Sequence, residues 1–244
     1  MLIEDLSAYR PGNQVAGASL ADVQVAVSVV AALHAQYWQG DDAPTLPHWL
    51  PTLGSSSIAN VFSSFVEPFV ANVLRDWADE LSAPARDAFA GMTQWFALAQ
   101  RMSEPPTTLI HSDTRFDNFM FGADPTAGPV LLDWHFCAEG RGPWEVAMLL
   151  VENLDPELRQ AHEADLLHQY HDALCDGGVR DYSFDDCMAD YRLGVLTSLR
   201  VAAIAGNPEI DLGNERGQEL ARVMLSRAAS APTDHRCDQL LPRS

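Results

Sequence analysis

The 244-residue chain contains no lysine; all 15 of its basic residues are arginine. Any mechanism that requires a lysine ammonium is therefore excluded within these residues. Cysteine is almost as scarce. Cys137, Cys175, Cys187 and Cys237 lie far apart with no CxxC pair, which argues against a zinc site or a disulfide frame and reads as reduced thiols. No apolar run is long enough to span a bilayer and no charged-then-apolar signal opens the chain, so a cytoplasmic address without a membrane partner is expected. Positive charge is also short. A net charge of −19 argues against nucleic acid, whose phosphates are held by Lys and Arg. The same acidity is compatible with cations, Mg²⁺ included, although most acidic surfaces only keep a protein soluble. Internal repeats and low-complexity segments are missing too. With 47% apolar and 20% charged residues, the chain reads as a soluble globular protein with a substantial core.

Hydrophobic spacing gives the organisation. MLIEDL at 1–6 reads as the end of a strand entering a turn, and RPGNQVAG as a loop. Ser19 can cap a helix reaching Trp38; a second helical stretch covers Ile58–Trp77; Ser82 begins a third that ends near Met102, before Pro105-Pro106. The region from Thr108 is different: a strand at Thr108–Ile110, a polar loop HSDTRFDN, a strand FMFG, a turn DPTAG and a strand PVLLD. After a loop, WHFCAEGRG, helices resume. Pro143 and Pro156 sit at first helical positions, Ser183 caps a further helix, and a last one covers about Gly213–Ala229. The expected class is α+β, mainly helical, with one small β-hairpin, and residues 231–244 as a flexible tail.

The polar loop carries the chemistry. Asp113 follows His111 by two residues, Asn118 lies five beyond Asp113, and Asp133 ends the return strand. Phosphoryl transfer needs a carboxylate within reach of the attacking hydroxyl, and hard oxygens to hold Mg²⁺ against phosphates. HxDxxxxN followed by a strand-terminal Asp supplies both in order.

Taken together, HSDTRFDN, LLDWHF and GRGPWEVAMLL resemble the aminoglycoside phosphotransferase-like superfamily, especially its ecdysteroid-kinase-like branch. LIEDL resembles that family's hinge, and LHAQYW its first C-lobe helix. The resemblance implies a protein-kinase-like C-terminal lobe over residues 1–230, with 1–6 as a hinge remnant and the N-lobe absent. It further implies Asp113 as catalytic base toward a small-molecule hydroxyl, Asn118 and Asp133 as Mg²⁺ ligands, and ATP as phosphoryl donor. His111 would pack the catalytic loop, and the backbone of Glu4 and Leu6 would meet the adenine edge. Arg115 would steady the loop or face a phosphate; Arg141 would contact an anionic acceptor or fix the loop after Asp133. Asp117 is the weaker metal candidate. Glu145 stands where the family usually has Asp bonded to the catalytic loop. The phosphate-covering GxGxxG and the strand lysine have no counterpart, so weak or absent activity alone is expected, with a separate N-lobe polypeptide or self-association as the partner.

Other polar and aromatic residues read blandly. His168 and His171 suit a solvated helix face better than a metal site, and His34 a satisfied, partly buried histidine. Trp38, Trp49, Phe62, Phe65, Phe69, Trp77, Trp95 and Phe96 read mostly as core, a few of them as acceptor-pocket lining. Two further function classes stay open beside the kinase: a non-catalytic remnant binding a metabolite or protein, and a metal-dependent hydrolase using positions 113, 118 and 133.

Overall fold

The computed structural model describes residues 5–40, 43–122, 128–205 and 215–241. Helices dominate. After a short strand β1 (Arg10–Pro11) come α1 (Leu20–Gln36), α2 (Ser56–Asp76), α3 (Ala83–Gly91) and α4 (Trp95–Arg101). The strands β2 (Thr108–Ile110), β3 (Phe119–Phe121), β4 (Pro129–Leu131) and β5 (Ala138–Gly140) follow. The chain then builds α5 (Gly142–Asn153), α6 (Pro156–Asp176), α7 (Phe184–Ala205) and α8 (Glu215–Asp234). No helix among the described residues is long and apolar enough to cross a membrane.

Local chemistry sets most boundaries. Ser19 Oγ accepts the Asp22 N–H at 3.1 Å and opens α1, whose buried stripe is Val23, Ala26, Val27, Val30, Ala31 and His34. α5 is buried on every side, so it reads as apolar almost throughout and forms the axis of the fold. α7 crosses it closely at Gly194, where a Cβ would lie 2.8 Å from both Ala147 Cβ and Trp144 Cα. Only a residue without a side chain fits that crossing.

The single helix expected from Ser82 to Met102 is broken. α3 stops at Gly91, a 3₁₀ turn spans Met92–Gln94, and α4 begins at Trp95. Glycine is a weak helix former, and the space a Cβ would take there is filled by Leu241, 2.2 Å away. That contact also corrects the expected loose tail. α8 continues through Ala231 and Pro232, both buried, and Cys237 begins a 3₁₀ turn with its thiol in the core. Buried Arg159 ties the segment down, donating to Glu163, Ser230 and Asp234, while His235 Nε2 donates to Glu163 at 2.8 Å.

Two small antiparallel sheets replace the single hairpin. β3 and β4 pair as expected, with Phe119 opposite Leu131 and Phe121 opposite Pro129. β1, expected as loop, adds to the other edge of β3 with Arg10 opposite Phe121. β2 pairs instead with β5, Ile110 opposite Ala138. Residues 51–53 cover the outer edge of β5, where Leu53 N–H donates to Glu139 O and Glu139 N–H to Pro51 O, each at 2.9 Å. Of the aromatics expected in the core, Trp38 and Trp95 are buried, whereas Trp49 and Phe96 are exposed. The side chains of Phe62 and Phe65 lie outside the described residues.

Candidate active site

The polar loop, residues 111–118, is pegged to its surroundings at both ends. His111 Nδ1 accepts the Asp113 N–H at 3.2 Å, which leaves the proton on Nε2 to be donated to Leu132 O at 2.8 Å. The His111 ring also meets Trp134 edge-on, centroids 4.7 Å apart. One imidazole thus joins the loop to the end of β4. α5 supplies the pegs below. At its start, Glu145 Oε1 accepts the Ser112 N–H at 2.6 Å. At its end, Asn153 Oδ1 accepts the Phe116 N–H at 2.8 Å, and Asn153 Nδ2 donates to Thr114 O at 3.2 Å.

Within this frame Asp113 is tightly held. Asn118 Nδ2 donates to both Asp113 O and Asp113 Oδ2, each at 2.9 Å, and Arg115 Nε lies 3.3 Å from the same Oδ2. Arg115 therefore steadies the loop. Because Asn118 spends its NH₂ on Asp113, its Oδ1 is the atom left as a hard acceptor.

Asp133 stands one residue beyond the last rung of the hairpin, where Leu132 N–H donates to Asn118 O at 2.8 Å. Its backbone is left-handed, φ 64°, and its side chain is 44% exposed. His135 Nδ1 donates to Asp133 Oδ1, and that bond holds the carboxyl below the usual carboxylate range, so the group is anionic at neutral pH. No group of three or more His, Cys, Asp or Glu placed to hold a metal ion occurs among the described residues. The Asn118 amide oxygen and the Asp133 carboxylate are hard oxygens, the donor type that Mg²⁺ takes beside phosphates and water.

Glu145 is fully buried. Burial raises its carboxyl, but the hydrogen bond and charge of His34, together with His111 and the Ser112 N–H, outweigh this and hold it below the ordinary Glu value. His34 is satisfied as expected but wholly rather than partly buried, with Nε2 2.8 Å from Glu145 Oε2 and Nδ1 2.9 Å from Tyr170 Oη.

Other expected residues lie elsewhere. Asp117 faces away from Asn118, accepting the Gln14 N–H at 2.9 Å and pairing with Arg216 at 3.0 Å. Arg141 is committed to structure. It donates to Asp190, to Glu104 O at 3.0 Å and to Pro105 O at 3.1 Å, contacts of the kind that the loop-fixing alternative calls for. Leu6 sits in a turn that its carbonyl closes with the Tyr9 N–H at 2.8 Å, and Glu4 lies outside the described residues. His168 is exposed and stacks on Phe184, while His171 Nε2 lies 2.9 Å from Tyr182 O. Asn153, which pegs the loop, leaves a trace in the sequence. A polar residue closing an otherwise apolar helix, AMLLVEN, is its signal.

A model of the ecdysteroid kinase-like family matches residues 1–180. No curated protein matches the chain. With the match covering well over half its length, the chain belongs to the ecdysteroid kinase-like family, and membership implies a small-molecule, kinase-like phosphotransferase.

Proposed function

We propose that the chain is a kinase that transfers the γ-phosphoryl group of ATP to the hydroxyl of a small molecule, with Asp113 as the base. The observation that carries this reading is the fixing of Asp113 by Asn118 and Arg115 on a loop pegged to the buried helix α5. A carboxylate so held keeps one oxygen engaged and presents the other to an incoming hydroxyl, whose proton it accepts as the new O–P bond forms and ADP departs. Asn118 Oδ1 and the Asp133 carboxylate are the residues that would hold Mg²⁺. The ion, when bound, neutralises the phosphate charge that builds up in transfer. His135 engages Asp133 Oδ1, so Oδ2 is the oxygen that would meet the ion.

Phosphate anchoring by these residues falls to arginine, since lysine is absent. We infer weak nucleotide binding by this polypeptide alone, strengthened by a partner that brings further cationic donors. The test is ADP release from MgATP in the presence of a panel of small-molecule alcohols. A stimulation by one or more alcohols that falls about 100- to 10,000-fold in Asp113→Asn is expected. Equal stimulation in wild type and variant would remove Asp113 from the reaction.

A further inference from the structure

Ser112, directly before the proposed base, has φ 69°, a left-handed conformation that costs a residue with a side chain appreciable free energy. Something must hold it there. Its own hydroxyl does not, being buried with no hydrogen-bond partner. The hold comes through its N–H, donated to Glu145 Oε1 at 2.6 Å. The carboxylate is in turn fixed from below. His34 Nε2–H donates to Glu145 Oε2 at 2.8 Å, and His34 Nδ1 shares a 2.9 Å hydrogen bond with the Tyr170 hydroxyl. His34, Glu145 and Tyr170 are all wholly buried. Burial keeps the Tyr170 phenol well above its ordinary value, so it remains a neutral donor. Gly142 completes the arrangement. A Cβ there would lie 2.4 Å from Tyr170 Oη and 2.7 Å from His34 Nδ1, so only glycine lets the pair sit under the start of α5. The chain of contacts runs from α6 through α1 to α5 and ends on the peptide that aims Asp113.

We propose that His34 and Tyr170 are positioning residues for Asp113: clamped together beneath Gly142, they orient the Glu145 carboxylate that keeps residue 112 left-handed. The proposal rests on the reading of Asp113 as the base, but its main test does not depend on activity. Removing His34 leaves Glu145 without the partner that directs it, and the strained peptide at 112 loses its hold. A glycine at 112 adopts the left-handed conformation freely and needs no such hold.

Amide hydrogen exchange of the full chain is measured over residues 111–118 and, as an internal reference, over α5 and α7. His34→Leu is expected to speed exchange of the loop about tenfold, the loss of one left-handed residue's hold, with the helices still protected. Gly142→Ala, which displaces the pair without altering it, gives the same pattern, and Tyr170→Phe a smaller one. Adding Ser112→Gly to His34→Leu returns the loop towards wild-type protection. Loop exchange unchanged in both His34→Leu and Gly142→Ala would overturn the proposal. So would a loss of protection shared by the helices and not repaired by Ser112→Gly, since that marks His34 as packing alone. ADP release from MgATP is followed in the same variants. If wild type releases none with any alcohol, the phosphotransfer reading fails while the exchange result still decides the role of His34 and Tyr170.

Discussion

Asp113 and Asp133 rest on opposite kinds of support. Beneath Asp113 lie Glu145, His34 and Tyr170, all fully buried, with Asn153 pegging the far end of the loop. Around Asp133 five consecutive residues, Leu132 to Phe136, are exposed, among them the large side chains of Leu132, Trp134 and Phe136. Among the described residues the hydrogen-bond partner of the Asp133 carboxylate is His135, two residues away and itself half exposed. The support of the proposed base lies in the core, where low dielectric makes every polar contact costly to lose. The proposed metal ligand stands in solvent, where its setting is completed by whatever binds. Fixing the base and leaving the ligand open suits a site whose metal arrives with the nucleotide.

Breaking the buried side should be far more damaging than breaking the open one. Glu145→Ala leaves His34 and the Ser112 N–H without their buried acceptor. A loss of about 3–5 kcal/mol is expected, lowering the unfolding temperature by roughly 10 °C. Asp133→Ala, by contrast, should leave that temperature within about 1 °C of wild type. Thermal unfolding followed by circular dichroism distinguishes them, and equal losses would dissolve the contrast. Asn153→Ala removes the acceptor of Phe116 N–H and a donor to Thr114 O, with an expected cost of about 2 kcal/mol in the same measurement.

Acid sharpens the comparison. Glu145 and Glu163 are both buried, and burial alone would raise them. His34 and His235, with Arg159 beside Glu163, outweigh it and hold both below the ordinary value of 4.5. A carboxyl lower in the folded than in the unfolded chain adds stability that is complete above its unfolded value and is lost as pH falls through the folded one. Urea midpoints should therefore be insensitive to these groups above pH 4.5 and fall steadily below it. Glu163→Gln should reduce that acid dependence. A midpoint that holds steady into stronger acid would contradict the assignment. A small effect also belongs to the exposed side: Trp134→Ala loses its edge contact with His111, at a cost of about 0.5–1 kcal/mol.

The same division governs what could be read from the sequence. Short-range signals were legible: Ser19 and Ser82 as caps, the strand at Thr108–Ile110, the β3–β4 hairpin, and the spacing of His111, Asp113 and Asn118. Contacts between distant segments were not. β5 is Ala-Glu-Gly, with no β-branched residue to announce a strand, and its existence depends on β2 some thirty residues earlier. Arg141 could be seen as a cation in a loop, but not that Asp190 on α7 takes it. The C-terminal segment looked loose because its polar residues gave no helical stripe; buried Arg159 and Glu163 on α6 are what fix it. Within the site, the residues proposed for the chemistry stand out by type and spacing. The support under them, Ser112 through Glu145 to His34 and Tyr170, is a tertiary arrangement that no local pattern encodes.

The central claim, that positions 113, 118 and 133 form one phosphoryl-transfer site, is tested most directly by Mn²⁺ used in place of Mg²⁺. Electron paramagnetic resonance of free Mn²⁺ is followed as protein is added with millimolar ATP. Protein-dependent binding of the MnATP complex that is lost in both Asn118→Ala and Asp133→Ala is the result expected. Binding that survives either substitution unchanged would separate the two residues and contradict the account.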